Sequence, residues 1–179
     1  MKINNVVVAV CIVLGSSLLF YACNKNNSDV SAEKARMQVY LTDDPAGYDA
    51  ILLDIEDVKI NYSSDTANGW ISLANVNRGL YDVLRLIDDQ DTLLANAELN
   101  TGRVEQLRLV LGSSNSVRVN GVTYPLNVPS GEQSGLKINL HQHLQAGILY
   151  KLLLDFDAAR SVVKTGNGQY KLKPVVRAT

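Results

Sequence analysis

The chain has 179 residues, with 17 basic against 18 acidic side chains, a formal net charge of −1 and two cysteines. This balance leaves no basic surplus for a nucleic-acid partner, so none is expected, and the length suits one domain with a sizeable core. Cys11 and Cys23 both lie in the first segment, so the rest of the chain has no thiol for a disulfide, a thiolate metal site or a cysteine nucleophile.

Residues 1–22 open with MKINN and continue as VVVAVCIVLGSSLLFYA, an uncharged, mostly apolar run broken by Gly15, Ser16 and Ser17. A membrane-spanning helix needs about 20 apolar residues. Only Lys25 follows this run, so there is no stop-transfer cluster of Lys and Arg. A basic start, an apolar middle and a small residue before the cut form the pattern of a removable signal. Leu19-Phe20-Tyr21-Ala22-Cys23 resembles a bacterial lipobox, in which the cysteine is acylated and becomes the mature N-terminus. Ala22 supplies the small residue, while Phe20 and Tyr21 depart from the usual Leu and small residue. The resemblance implies a lipoprotein with Cys23 carrying fatty acids such as palmitate. It implies the membrane as a partner and a place in the bacterial cell envelope, at the outer membrane or cell surface. An uncleaved signal anchor and an ordinary secretion signal are the competing readings. Each buried methylene contributes about 0.8 kcal/mol, so two or three chains anchor stably where one does not. Residues 23–35 then form the lipidated cysteine and a polar tether, holding the domain about 20 Å from its anchor.

From Arg36 to Thr179 the dominant signal is period-two alternation, the mark of half-buried strands. Met37, Val39 and Leu41 alternate with Arg36, Gln38 and Tyr40. Ile51, Leu53 and Ile55 share a face, and Val58, Ile60 and Tyr62 continue one residue out of phase, which predicts a bulge near Glu56-Asp57. GLYDVLRLI fits a helix or a strand, and ANAEL and AARSVV each suit a helical turn. Asn120-Gly121, between VRV and VTYPLNV, is a hairpin signal, and Asn68-Gly69 and Asn167-Gly168 mark further turns. Leu136, Ile138, Leu140 and Leu144 alternate with Lys137, Asn139, His141 and His143, and Ile148, Tyr150, Leu152, Leu154 and Phe156 form another inward set. In QYKLKPVVRA, Pro174 cannot donate to a ladder and favours an edge or a bulge. About eight short strands with Gly-rich turns predict an all-β fold of two packed sheets, a β-sandwich.

Several stretches together carry a family likeness: LTDDPAGYDAILLDIEDVKI, TGRVEQLRLVLG, VPSGEQSGLKI and LLLDFDAARSVVKTGNGQYKLKPVVRA. They resemble the bacterial and archaeal domain-of-unknown-function family 4382 over nearly the whole of residues 36–179. The resemblance implies a secreted protein or lipoprotein with an immunoglobulin- or transthyretin-like sandwich, and it supplies no activity and no catalytic residues. Gly102-Arg103-Val104 stands where Gly-x-Tyr is expected before the LRL strand.

The residues offer few chemical constellations. Asp155 and Asp157 lie two apart on a strand, and with Asp43-Asp44 they could give oxygen ligands to calcium. The alternative is that Asp157 caps the AARSVV turn. A carboxylate pair also suggests an envelope hydrolase, which needs two carboxylates roughly 5 Å apart. His141-Gln142-His143 has the strand spacing of two zinc ligands but no third histidine or cysteine, so no metal site is expected. Ser134 in PSGEQSG lacks the strand–turn–helix setting of a nucleophile. Trp70 and Tyr40, with Tyr48 and Tyr62, could form a sugar platform, against core filling as the other reading. Arg108, between leucines, calls for an acidic partner such as Asp54 or Asp155. Asp65-Thr66-Ala67 and Asp91-Thr92-Leu93 look like short O-glycosylation acceptors. The reading is a non-enzymatic binding module for a protein or a glycan, with no cofactor and no catalytic residue. Its site candidates are Asp155, Asp157, Trp70 and Tyr40, and the alternative is a carboxylate- or metal-dependent hydrolase.

Overall fold

A computed structural model of the chain describes residues 34–43, 46–63, 68–88, 90–129 and 135–179. The signal segment, Cys23, Asp44, the Asp65–Ala67 tripeptide and Ser134 lie outside the described residues. Strand β1 (Lys34–Asp43) buries Ala35, Met37, Val39 and Leu41 and turns Arg36, Gln38 and Tyr40 outward, as alternation requires. It begins two residues before the boundary expected at Arg36, because Ala35 is already 1% exposed and belongs to the core. Strand β2 (Ala50–Asn61) is the spine of the larger sheet, burying Ile51, Leu53, Ile55, Val58 and Ile60.

The remaining elements are β3 (Trp70–Ser72), β4 (Gly79–Asp82), a 3-10 turn (Val83–Arg85), β5 (Thr92–Asn100), β6 (Gly102–Leu111), β7 (Ser116–Val119) and β8 (Val122–Asn127). They are followed by β9 (Leu136–Leu144), β10 (Leu149–Phe156), helix α1 (Ala158–Ser161), β11 (Val162–Lys164), β12 (Tyr170–Leu172) and β13 (Val176–Ala178). The smaller sheet has the order β13-β10-β1-β5, with β1 parallel to β10 and antiparallel to β5. In the larger sheet, Leu52 pairs with both Asp82 and Ser116, and Ile60 with both Ile71 and Leu107. Since one residue pairs on two edges only with different neighbours, β3 and β4 line one edge of β2 and β6 and β7 the other. Pairing then continues from β6 to β9 and from β7 through β8 and β12 to β11. The strands outnumber the eight expected because two of these rows are broken by loops, and three-residue strands carry too little periodicity to read.

The predicted bulge is present: the register of β2 against β6 shifts between Ile55 and Asp57. The Asn120-Gly121 hairpin is also present, with positive φ at both residues (50° and 78°), as its two-residue turn demands. GLYDVLRLI is both of its readings in turn, strand β4 and then a 3-10 turn. ANAEL is not helical: it lies in β5 against β1, where non-local pairing overrides the helix preference of alanine. Ile148, expected to face inward, is 46% exposed because it precedes β10 in a turn. QYKLKPVVRA splits at Pro174 into β12 of the larger sheet and β13 at the edge of the smaller one. Buried Ser161 secures this crossing: its carbonyl accepts the Lys173 N–H at 2.7 Å and its hydroxyl accepts the Val175 N–H at 2.8 Å. A single apolar core lies between the sheets, with Phe156, Leu154, Met37, Ile51 and Leu109 among its fully covered side chains.

Candidate functional site

The carboxylates singled out by sequence separate at the end of β10. Asp155 remains on the strand, in register with Thr42 of β1 and Arg177 of β13. Asp157 leaves it to cap α1. Its buried side chain accepts the Arg160 N–H at 3.0 Å and pairs with the Arg160 guanidinium at 3.5 Å. Asp43, also buried, accepts the Ala158 N–H at 2.9 Å. Two carboxylates thus serve backbone donors that the first turn of a helix leaves without intrahelical partners. Among the described residues no group of three or more His, Cys, Asp or Glu side chains is placed to hold a metal ion.

The aromatic candidates are dispersed. Tyr40 lies outward on the smaller sheet, its hydroxyl donating to Gln38 at 3.2 Å. Tyr48 reaches the Val162 carbonyl, and Tyr62 donates to the Asn100 carbonyl at 2.9 Å while its ring lies beside Gly102. Tyr62, arriving from the end of β2, therefore anchors the β5–β6 corner where the sequence lacks the expected tyrosine. Burial raises the hydroxyl pKa of Tyr48, Tyr62 and Tyr81, with the Tyr170 charge adding to the effect at Tyr48.

Trp70 is on the opposite side of the sandwich from Tyr40. Buried Asn61 prepares the loop that delivers it: its amide donates to the Asn68 carbonyl at 2.8 Å and its side-chain oxygen accepts the Ser63 N–H at 2.8 Å. Gly69 then takes a positive φ of 80°, which strains any other residue, and a Cβ there would press on the Asn61 side-chain oxygen at 3.0 Å. Arg108, between buried Leu107 and Leu109, must point outward, and its guanidinium lies 3.9 Å from the centre of the Trp70 ring. The indole over Arg108 is a contact that its place between two leucines did not suggest. Burial lowers the Arg108 pKa from its ordinary value, as desolvation disfavours the charged form.

Register aligns a polar field around this stack. Trp70, Asn61, Gln106 and Asn139 form one cross-sheet row, and Ser72, Lys59, Arg108 and Lys137 form the next. Gln106 donates to Asn139 at 2.8 Å, Ser72 to Asp57 at 2.6 Å, and Lys59 pairs with Asp57 at 3.7 Å. Chemically the face offers a cation-backed indole, amide donors and acceptors, and ammonium groups.

His141 and His143 are exposed, but His141 has a positive φ of 52° at a bulge in β9, and its ring contacts Glu105 at 2.5 Å. Glu105 also pairs with Arg103 at 3.0 Å. This trio was absent from the sequence reading, because a bulge breaks the alternation on which facing was judged. Thr92 is half-buried at the start of β5, paired in register with Leu41.

Fold and surface together define an all-β, two-sheet domain with a polar, aromatic-centred outer face. The model of the domain of unknown function DUF4382 matches residues 34–174, and the chain belongs to that family. A solved structure of a candidate cell adhesion protein from Bacteroides fragilis NCTC 9343 is similar at 14% identity and a TM-score of 0.41. The match covers 82% of this chain and 45% of that one, so this chain spans under half the length of that protein. That likeness is too low to carry an argument about fold or function. No curated protein matches the chain. Among the described residues no helix is long and apolar enough to cross a membrane.

Proposed function

We propose that this protein is a non-enzymatic binding module, held at the bacterial cell envelope by a lipid on Cys23, that presents the outer face of its larger sheet to a glycan. The observation supporting this reading is the Trp70–Arg108 stack at 3.9 Å, on an outward face rather than in the core. An indole held by a cation offers a rigid apolar plate at small entropic cost. Gln106, Asn139, Ser72 and Lys137 around it match the hydroxyl and acidic groups of a sugar. A protein ligand presenting the same chemistry is the competing occupant of this face. The hydrolase reading gains nothing from the geometry, since Asp157 is engaged as a helix cap.

The test is binding of the intact protein to polysaccharides and proteins extracted from its own envelope, with Trp70→Ala and Asn139→Ala beside the unaltered chain. Loss of polysaccharide binding by about tenfold or more, with the fold intact, is expected for Trp70→Ala, since aromatic anchors dominate such surfaces. Equal binding by all three proteins would remove this face from the function. Cleavage of the polysaccharide by the unaltered protein would overturn the non-enzymatic reading.

A further inference from the structure

Among the described residues the exposed large apolar side chains are Ile71, Leu80, Val122, Ile148, Leu149 and Val163, and only Ile148 and Leu149 are neighbours in sequence. They are 46% and 47% exposed, at the turn entering β10. That turn is strapped to the start of β1: Gly147 N–H donates to the Lys34 carbonyl at 2.9 Å and Arg36 N–H to the Ile148 carbonyl at 3.0 Å. The apolar pair therefore sits beside the residue at which the chain leaves the N-terminal segment for the sandwich. Lys34, Arg36, Glu98, Gly147, Ile148 and Leu149 line a shallow recess of about 290 Å³. Lys34 is hydrogen-bonded to Asn100, Arg36 is paired with Glu98 at 3.5 Å, and Lys151 is exposed two residues beyond Leu149. Three cations against one carboxylate thus surround two apolar side chains.

We infer that this tip docks on the anionic bilayer that holds the lipid. The inference rests on the reading of Cys23 as acylated. Eleven residue steps separate Cys23 from Lys34, so even a fully extended chain keeps β1's start within about 40 Å of the anchor, and the apolar pair is at that start. Ile148 and Leu149 enter the boundary between headgroups and acyl chains, while Lys34, Arg36 and Lys151 meet lipid phosphates, the pairing of apolar burial with electrostatic attraction that peripheral membrane contacts use. The domain is then held in one orientation, with the loop of residues 112–115 turned away from the bilayer. That loop follows the far end of β6, whose first residue pairs with Leu144 near the docking tip. At about 3.3 Å per residue, β6 carries it roughly 30 Å away.

The experiment uses the full chain, purified from the membranes of the bacterium that makes it and reconstituted into vesicles of phosphatidylethanolamine and phosphatidylglycerol with brominated acyl chains. Trp70→Phe removes the single native tryptophan. Ile148→Trp, with Leu149→Trp as a second reporter, then reads the tip, and Ser113→Trp the far loop. Quenching of roughly twofold at position 148 or 149, with none at 113, is expected for an indole at the acyl boundary. Equal quenching at the tip and the far loop, or none at either, overturns the docking. The mass of the N-terminal peptide of the same protein tests the anchor separately. An acylated Cys23 without tip quenching removes the docking and leaves the anchor. An unmodified Cys23 with tip quenching leaves the docking and removes the anchor.

Discussion

Two groups of polar side chains in this domain do opposite work. At the crossing between the sheets, Asp43, Asp157 and Ser161 are buried and each holds a backbone N–H. On the outer face of the larger sheet, Trp70, Arg108, Lys59, Gln106 and Asn139 are half-buried or exposed, with Trp70 stacked on Arg108 and Gln106 bonded to Asn139. A buried donor without its acceptor loses the full cost of desolvation, whereas a side chain at the surface can exchange its partner for water or a ligand. Polarity alone therefore does not mark a site; its degree of burial and the kind of atom it serves do.

This contrast can be broken by substitution. The largest loss of stability is expected for Ser161→Ala, which strips the half-buried Val175 N–H of its acceptor and costs about 1–3 kcal/mol; urea unfolding would read it, and a loss within experimental error would place the crossing's strength elsewhere. Asp157→Ala removes the cap and should cost about 0.5–2 kcal/mol, whereas Asp157→Asn, a comparably good cap, should cost less. Neither should alter ligand binding well below the melting temperature. Trp70→Ala should behave in reverse, costing roughly 0.5–1 kcal/mol of stability for the lost cation–π contact while abolishing most binding. If it proves as destabilising as Ser161→Ala, the stack belongs with the structural group.

The smallest effect should appear in alkali. Tyr48, Tyr62 and Tyr81 hold their protons more tightly folded than unfolded. Their contribution is thus fully present below the ordinary phenol value near 10 and is lost as pH rises through the raised folded values. Melting temperatures measured upward from about pH 9 should fall, and Tyr62→Phe should flatten the fall. An unchanged slope in that variant would remove Tyr62 from the effect.

Alternation made β1, β2, β9 and β10 legible, because β1 and β10 alternate along most of their length and β2 and β9 do so on the stretches before their bulges. The bulge at Ile55–Asp57 could be read from a change of phase. β12 and β13 read as one strand, QYKLKPVVRA, and their division between two sheets could not be read, since three residues hold barely one period and their pairing is set by distant partners. Trp70 was visible as a candidate, but Tyr40, chosen with it, lies across the core, a separation that only the assignment of strands to sheets reveals. The Trp70–Arg108 contact spans β3 and β6 across β2, a neighbourhood that no local spacing encodes. His141 is exposed, as its place opposite the leucines predicts, but its contact with Glu105 goes with the bulge that gives it a positive φ, which no spacing reveals.

The position of β1 has a mechanical consequence. It lies inside the smaller sheet, laddered to β10 on one side and β5 on the other. A pull directed along this strand's axis at Lys34 acts on both ladders at once. The two ladders are then loaded in shear, so their hydrogen bonds share the force and resist together. Peeling, which would open them one at a time, requires a pull across the strand. A load applied to the domain along that axis would thus enter the fold through the element best placed to bear it.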